Sequence, residues 1–204
     1  LTGYKIATKI KNHYELYGSY NLRNPNLDFV TSFKLDVTNQ KKIRQTITDC
    51  KPDYIINTCA LNNVDYCESH QDEAKKINSD FVANLSKISE QINCKLIHLS
   101  TDSVFDGNKK KPYIETDIPN PKNVYGNTKL SGEKFTLNNS NNLVVRASVL
   151  YGRLPENLLN INSSSMKPIN FGLWLINKLN SNEEVQIIQD AFSSPIIVED
   201  FANS

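Results

Sequence analysis

The chain has 204 residues, of which 39% are hydrophobic and 22% are charged, and its formal net charge is +1 at pH 7. This size and composition indicate one globular domain, or one domain with part of a second. The small net charge argues against a nucleic-acid-binding protein, and no apolar run approaches the roughly 20 residues that cross a bilayer. We therefore expect contact with neither nucleic acid nor membrane.

Four cysteines are present, at positions 50, 59, 67 and 94. They form no C-x-x-C pair and show no His/Cys spacing typical of a metal site. A buried free cysteine behaves as a small hydrophobic residue. The sequence therefore predicts reduced, structural thiols, no metal site and a cytoplasmic location.

The first part of the chain alternates between helical and strand patterns. Leu1–Ile10 carries a partial helical stripe, whereas Tyr14–Tyr20 and Phe29–Val37 are typical of short strands. Ile43 and Ile47 then show the i, i+4 spacing of a helix face. "PDYIINTCA", a short apolar run after a proline, is typical of a buried parallel strand.

The clearest helix follows this strand. Apolar residues recur every three or four positions from Ala74 to Ile92, which predicts a helix of about five turns. Cys94–Ser100 and Asn142–Gly152 are further strand runs, and we expect a helix from about Val124 to Leu137 between them. His98, within the first of these runs, is expected to be a core residue. Beyond them we expect a helix at Ile169–Leu179, a strand at "VQII", and a strand turning into a helix at "PIIVEDFA".

Helices alternating with short buried strands predict βαβ units and a doubly wound α/β domain with a parallel sheet. Such sheets bind ligands at the carboxyl ends of their strands. Three of the predicted strands end in polar or small residues, in "LDV", "NTCALNN" and "LSTDS". We therefore expect the functional site at this edge of the sheet.

Five segments carry a resemblance: "KLDVTN", "KPDYIINTCALNNVDYCE", "LIHLSTDSVFDGNKKKPYIETDIPNPKNVYGNTKLSGEK", "RASVLYG" and "SSPIIVEDFA". Their order resembles the extended short-chain dehydrogenase/reductase family, in particular its dTDP-4-dehydrorhamnose reductase branch. The third segment is the most specific of them, since it combines two long motifs. The resemblance implies a Rossmann-type fold and NAD(P)H-dependent reduction of the keto group of a nucleotide-activated deoxysugar.

The same resemblance implies a domain organisation. Family members open with a strand and a G-x-x-G-x-x-G loop, and Gly3 matches the last glycine of that loop. We therefore expect the first strand and most of the loop to precede this sequence. We also expect a dinucleotide-binding domain over residues 1–152 and part of a substrate-binding region over residues 153–204.

The resemblance implies a catalytic triad of Thr101, Tyr125 and Lys129, with Ser100 as the alternative to Thr101. The tyrosine would protonate the nascent alkoxide, and the threonine would hold the carbonyl. One helical turn separates Tyr125 from Lys129, and a nearby ammonium would lower the phenol pKa from about 10. Without the "STDSVF" motif, a core tyrosine beside a surface lysine would be the ordinary interpretation of this spacing.

The resemblance also implies where the cofactor binds. In the family, a carboxylate after the second strand of the sheet selects NAD, whereas an arginine there accepts the extra phosphate of NADP. Tyr14–Tyr20 corresponds to that second strand, because the family's first strand is expected to precede this sequence. Arg23 is present there and no acidic residue is, which favours NADP and leaves NAD open. For Asn78, helix capping or core hydrogen bonding is an equal rival. The implied cofactor-binding residues are Gly3, Arg23, Asp36, Val37, Cys59, Ala60, Leu61, Asn78, Tyr125 and Lys129.

The substrate side departs from the rhamnose-pathway reductases. Implied substrate contacts are Asp102, Ser103 and Val149, although Asp102 could instead brace its loop. The family usually carries a tyrosine at the position of Ser103 and a tryptophan at that of Val149. Replacing tryptophan by valine removes a large contact area, so we expect a different pocket and leave the sugar nucleotide open.

Two alternatives to a reductase are kept. A sugar-nucleotide epimerase or dehydratase shares the triad, although a dehydratase usually carries Asp-Glu after the threonine. The regulatory β subunit of methionine adenosyltransferase also resembles this chain, binds a dinucleotide and acts as a partner protein, and function follows from sites rather than folds. Homologues often dimerise, so a homodimer is a further possibility.

Overall fold

The computed structural model describes residues 1–155, 158, 171–187, 190 and 192–204. The chain forms two compact units, one of Glu15–Ala147 and one that combines Leu1–Tyr14 with Ser148–Ser204. The domain boundary placed after residue 152 stays a prediction. Among the described residues, no helix has the length and apolar character needed to span a bilayer.

The larger unit is built on parallel strands. β1 (Tyr17–Tyr20) pairs with β2 (Thr31–Lys34), and β3 (Tyr54–Asn57), β4 (Lys95–Thr101) and β5 (Leu143–Ala147) form a second ladder in that order. Each of these pairings is parallel. Parallel neighbours need long crossover connections. Helices lie between β3 and β4 and between β4 and β5, whereas residues 21–30 connect β1 to β2 without a helix. The predicted α/β fold class is confirmed.

Asparagine side chains begin three of the helices in this unit. Asn39, Asn63 and Asn123 each accept a hydrogen bond from a backbone N–H in the first turn of the helix that follows. Such caps satisfy donors that have no partner within the helix. The helices are α2 (Gln40–Cys50), α3 (Val64–Ser69), α4 (Gln71–Lys75), α5 (Phe81–Gln91) and α6 (Val124–Leu137).

The long helix expected from Ala74 to Ile92 is interrupted. A π-helical turn, Lys76–Asp80, separates α4 from α5. Single π-turns within α-helices are frequent at functional sites, because the extra residue displaces the side chains on one turn. Asn78 lies in this turn and is fully buried.

The hydrophobic core of the larger unit is formed by side chains of α2, α5 and β4 and of the residue that follows β2. Burying one leucine, isoleucine or phenylalanine side chain contributes roughly 1.5–3 kcal/mol to stability relative to leaving it exposed. The residues of α5 in the core continue the apolar stripe seen in the sequence. The core cluster consists of Leu35, Ile43, Phe81, Leu85, Ile88 and Leu96.

The smaller unit contains α1 (Thr2–Ile10), β6 (Leu150–Tyr151), α7 (Phe171–Asn180), β7 (Ile196–Ile197) and α8 (Val198–Phe201). β6 and β7 are parallel, and Lys5 of α1 forms an ion pair with Glu199 of α8. The expected helix is confirmed from Phe171, while positions 169 and 170 lie outside the described residues. The expected strand at "VQII" is wrong for Val185–Ile187, which form no ladder, and position 188 lies outside the described residues.

Candidate active site

Thr101 is the last residue of β4 and is buried at the carboxyl end of the sheet. Its side chain accepts a hydrogen bond from the backbone N–H of Ser103 and donates one to Oδ1 of Asp102, both over 3.1 Å. This arrangement begins the 3₁₀ turn Asp102–Val104. The threonine hydroxyl is therefore held in place by the segment that follows it.

Tyr125 is the second residue of α6, and its phenol lies near enough to the side chain of Thr101 for that side chain to act to lower the phenol pKa. The next residue explains how the two meet. A Cβ at Gly126 would lie 2.3 Å from the carbonyl oxygen of Ser103, so only glycine permits this approach of helix and loop. The structure thus brings together two of the three residues implied as the triad.

The pKa of Tyr125 is raised, whereas a pKa lowered by Lys129 was expected. Burial raises it above its usual value near 10, and the side chain of Thr101 opposes that change only in part. Nζ of Lys129 instead donates to the carbonyl oxygen of Leu99 over 2.5 Å and lies 3.3 Å from Nε2 of His98. The expected lowering of the phenol pKa by Lys129 is corrected by this geometry, since the ammonium is engaged with β4.

Lys129 is not a surface lysine. It is 2% exposed, and burial lowers its pKa to about 8, while Cys59 and Glu133 act in the opposite direction. A charged group loses its hydration on burial, which favours the neutral amine. The ordinary interpretation of the tyrosine–lysine spacing, a core ring beside a solvated charge, therefore does not describe this helix.

A buried ion pair was not anticipated from the sequence. Glu133 of α6, which is 1% exposed, accepts two hydrogen bonds from Arg146 of β5, over 2.9 Å and 2.6 Å. The Arg146 guanidinium also lies 5.0 Å from the centre of the Phe105 ring. Bidentate pairs of this kind have a strict geometry, so the pair fixes α6 against the sheet. The signal was available, because both residues lie in the segments that carry the family resemblance.

Asn78 makes the core hydrogen bonds that were the rival to a cofactor contact. Its Oδ1 accepts from the backbone N–H of Leu61 over 2.8 Å, and its Nδ2 donates to Leu61 O and to Thr128 Oγ1. A Cβ at Gly132 would lie 2.6 Å from the Asn78 carbonyl oxygen, which shows how closely the π-turn and α6 approach. Asn78 thus holds the segment after β3 against α6, and its contact with a cofactor stays a prediction.

Asp36 and Val37, which the resemblance implies lie near the adenine of the cofactor, are less buried than Thr101 and Lys129. We call these two residues and Arg23 the adenine edge. Asp36 accepts hydrogen bonds from the backbone N–H and the hydroxyl of Thr38, which lower the pKa of its carboxyl. Arg23 is exposed after β1, and Val37 packs against the core. Cys59 is half-buried, and burial raises the pKa of its thiol.

The remaining implied residues are placed as follows. Ala60, Leu61 and Ser103 are half-buried, and Asp102 is exposed. Gly3, in α1, and Val149, between β5 and β6, belong to the smaller unit. Among the residues that the structure describes, no group of three or more His, Cys, Asp or Glu side chains could hold a metal ion.

The family model described as RmlD substrate binding domain matches residues 11–204. The chain belongs to this family. Among curated relatives, dTDP-4-dehydrorhamnose reductase of Escherichia coli is 33% identical over 166 residues, 81% of this chain and 51% of the relative. Methionine adenosyltransferase 2 subunit beta of Bos taurus is 41% identical over 132 residues, 63% of this chain and 39% of the relative. This RmlD-family chain therefore spans about half the length of the curated relatives it matches or less.

Solved structures show the same relationship. A hypothetical dTDP-4-dehydrorhamnose reductase from Sulfolobus tokodaii has a TM-score of 0.85 at 30% identity, covering 99% of this chain and 66% of its own. The Bacillus anthracis dTDP-4-dehydrorhamnose reductase, solved in complex with NADP, has a TM-score of 0.76 at 27% identity, covering 93% and 69%. UDP-glucose 4-epimerase of Thermotoga maritima, at 21% identity and a TM-score of 0.83 over 100% and 68%, shares the fold alone.

Proposed function

We propose that this chain is the cofactor-binding and catalytic part of an NAD(P)H-dependent reductase. Its substrate would carry a keto group on a nucleotide-activated deoxysugar, as the substrate of dTDP-4-dehydrorhamnose reductase does. The observation that carries the proposal is the placement of Thr101 at the carboxyl end of β4 beside Tyr125 in the first turn of α6, with a buried lysine one helical turn further along that helix. Ligands of such sheets bind at that edge.

The geometry supports an acid role for Tyr125. A tyrosine phenol is protonated at neutral pH, and burial raises the pKa of Tyr125 further, so its proton is released only to a strong base such as the alkoxide formed from the carbonyl. Because the alkoxide is the stronger base, the phenolic proton moves to it. Thr101, already a hydrogen-bond donor to Asp102, would turn its hydroxyl to the same oxygen. The carbonyl is thereby oriented by two hydroxyl groups.

The polar groups available at this edge fit a dinucleotide. Asp36 offers an exposed carboxylate, Cys59 and Ala60 are small enough for a ligand to lie along the backbone, and Lys129 carries N–H donors. A bound nicotinamide cofactor would supply the hydride. The NADP complex of the Bacillus anthracis relative and the position of Arg23 favour NADP for this chain, with NAD left open.

The test is NADPH and NADH oxidation by the full-length protein with dTDP-4-dehydrorhamnose and related keto sugars. We expect turnover of at least one, and we expect Tyr125→Phe to reduce kcat by a factor of ~10²–10⁴, the typical contribution of general acid catalysis. Thr101→Val is a second variant, expected to lower kcat by a smaller factor. Full activity in Tyr125→Phe would overturn the assignment.

A regulatory subunit is the second candidate, because the bovine methionine adenosyltransferase relative is 41% identical over its matched part. The changed residues at positions 103 and 149 also fit a protein that has lost a sugar pocket. Under this alternative the protein binds NADP, turns over no keto sugar, and changes the activity of a methionine adenosyltransferase catalytic subunit. Measuring that activity with and without the protein separates the two candidates.

We place the protein in the cytoplasm, which its four free cysteines support. The homodimer inferred from the resemblance stays a prediction. Sedimentation of the purified full-length protein would decide it.

A further inference from the structure

Three buried polar side chains form a chain between β3, β4 and α6. Asn57 ends β3, His98 lies in β4 and Lys129 lies in α6, and the residues are 4%, 0% and 2% exposed. Asn57 Nδ2 lies 3.0 Å from His98 Nδ1, and Lys129 Nζ lies 3.3 Å from His98 Nε2. The imidazole therefore connects the sheet to the helix that carries Tyr125.

The orientation of the Asn57 amide follows from its other partner. The backbone N–H of Cys59 donates to Oδ1 of Asn57 over 3.1 Å, which identifies the amide oxygen. The amide nitrogen therefore faces Nδ1 of His98. An amide NH₂ group only donates, so Nδ1 accepts, and in a neutral ring the proton then lies on Nε2.

The ring is neutral at physiological pH, because burial, together with the charge of Lys129, lowers the pKa of His98 to about 3. Its Nε2–H therefore points at Lys129 Nζ. An ammonium group has three donors and no acceptor, whereas a neutral amine carries a lone pair. The Nε2–H repels the charged form of Lys129 and forms a hydrogen bond with the neutral form.

Other ionisable groups also surround Lys129. Burial lowers the pKa of Lys129, whereas the charges of Cys59, after β3, and Glu133, on the same helix, raise it. Glu133 is paired with Arg146 of β5, and Tyr125 lies one turn away on α6. From β4, Lys129 meets the carbonyl oxygen of Leu99 and the titratable ring of His98, whose tautomer is set by Asn57.

We propose that His98 is a positioning residue for Lys129, held by Asn57 with its Nε2–H toward Nζ so that it stabilises the neutral amine. The inference rests on the place of Lys129 in the proposed active site. When the Lys129 ammonium releases a proton to solvent, an N–H bond breaks and the lone pair left on Nζ accepts the hydrogen bond from His98. Solvent later returns a proton to the amine.

The tautomer can be measured on the unmodified protein labelled with ¹⁵N-histidine. Long-range ¹H–¹⁵N correlation distinguishes a protonated ring nitrogen from a bare one, and the His98 signals are identified by their loss in His98→Leu. We expect a bare Nδ1 and a protonated Nε2 at neutral pH. The reverse assignment would overturn the proposal, whatever the variants do.

The second measurement is the titration of Lys129, followed through ¹³Cε of labelled lysine. Without the Nε2–H, the midpoint in His98→Leu should rise by about one pH unit, a tenfold change in the acid constant. Burial alone predicts the opposite, because leucine makes the surroundings less polar. A midpoint that stays the same or falls contradicts the proposal.

Asn57→Asp provides a variant of nearly unchanged shape. One carboxylate oxygen still accepts from Cys59 N–H, while the other accepts from His98 Nδ1, so the ring proton should move to Nδ1 and the Lys129 midpoint should rise. Asn62→Asp, at an exposed position in the loop that follows β3, is the matched control and should leave the tautomer unchanged. An Nε2–H tautomer retained in Asn57→Asp would refute the role of Asn57.

Neither measurement requires a substrate. If no keto sugar is turned over while the Nε2–H tautomer and the raised midpoint are found, the proposed function fails and the His98–Lys129 coupling stands. If Tyr125→Phe abolishes turnover but His98 carries its proton on Nδ1, the coupling fails and the reductase stands.

Discussion

The buried face of α6 and the exposed adenine edge of the larger unit carry different halves of the proposed site. On α6, Lys129 and Glu133 have hydrogen-bond partners on β4 and β5. At the adenine edge, Asp36 is bonded within its own turn. A buried polar group without a partner costs free energy, so the α6 face requires long-range partners that an exposed carboxylate can do without. We therefore expect substitutions on the buried face of α6 to change stability and activity together, and substitutions at the adenine edge to change activity with little effect on stability.

The strongest challenge to this comparison is Glu133→Gln. Removing the charge of the buried Glu133 leaves the partly exposed Arg146 without its counter-ion, so we expect a loss of about 3 kcal/mol in the free energy of unfolding, the lower end of the range for a fully buried pair. Urea denaturation measures it. The matched control is Glu90→Gln on the exposed face of α5, expected to change stability by less than about 0.5 kcal/mol. Equal losses in the free energy of unfolding for the two variants would show that the Glu133–Arg146 pair stabilises the fold no more than an exposed side chain does.

The pH dependence of stability tests the same face. The folded pKa of Lys129, about 8, is lower than the unfolded value near 10.4, so between these values the unfolded chain binds more protons. Burying the charged Lys129 therefore destabilises the fold fully below pH 8, and this destabilisation is relieved as the pH rises toward 10.4. Relative to Lys129→Met, the free energy of unfolding should rise by roughly 3 kcal/mol across this window. A parallel pH dependence in the two proteins would contradict the buried assignment.

Gly126→Ala tests how closely the helix and the loop approach. The added methyl group meets the Ser103 carbonyl oxygen, so α6 must shift at its first turn and move Tyr125 from Thr101. We expect a destabilisation of about 1–3 kcal/mol, together with a lower kcat. Asn127→Ala, at the next and exposed position, controls for helix substitution as such. A kcat in Gly126→Ala equal to that of the unchanged protein would show that catalysis does not depend on the close approach of α6 to the loop that contains Ser103.

The smallest effect on stability is expected at the adenine edge. Arg23→Gln should change the free energy of unfolding by less than about 0.5 kcal/mol, since its side chain is exposed. Under the NADP proposal it should raise KM for NADPH by about tenfold and leave KM for NADH nearly unchanged, because each 1.4 kcal/mol of binding is tenfold. Equal changes for both cofactors would remove the argument for NADP.

Much of the fold could be predicted from local patterns. The helix expected from Val124 to Leu137 has these bounds in the structure, and the five strand runs of the larger unit each contain a strand. The π-turn around Asn78 could not be predicted from the apolar stripe, which continues through it. The expected strand at Val185–Ile187 failed because an apolar run specifies a strand only when a partner strand is available.

The sequence alone determined the family, the α/β fold class and the three residues proposed for catalysis, because each depends on local spacing or on motifs that stay together in the chain. Only the tertiary structure decided how those residues are held. Lys129 engages β4 and His98 rather than lowering the pKa of Tyr125, and Glu133 pairs with Arg146 across two elements. A charge that is removed from water needs a hydrogen-bond partner close to it in space. For Lys129 and Glu133 those partners are distant in the sequence, so local patterns do not reveal them.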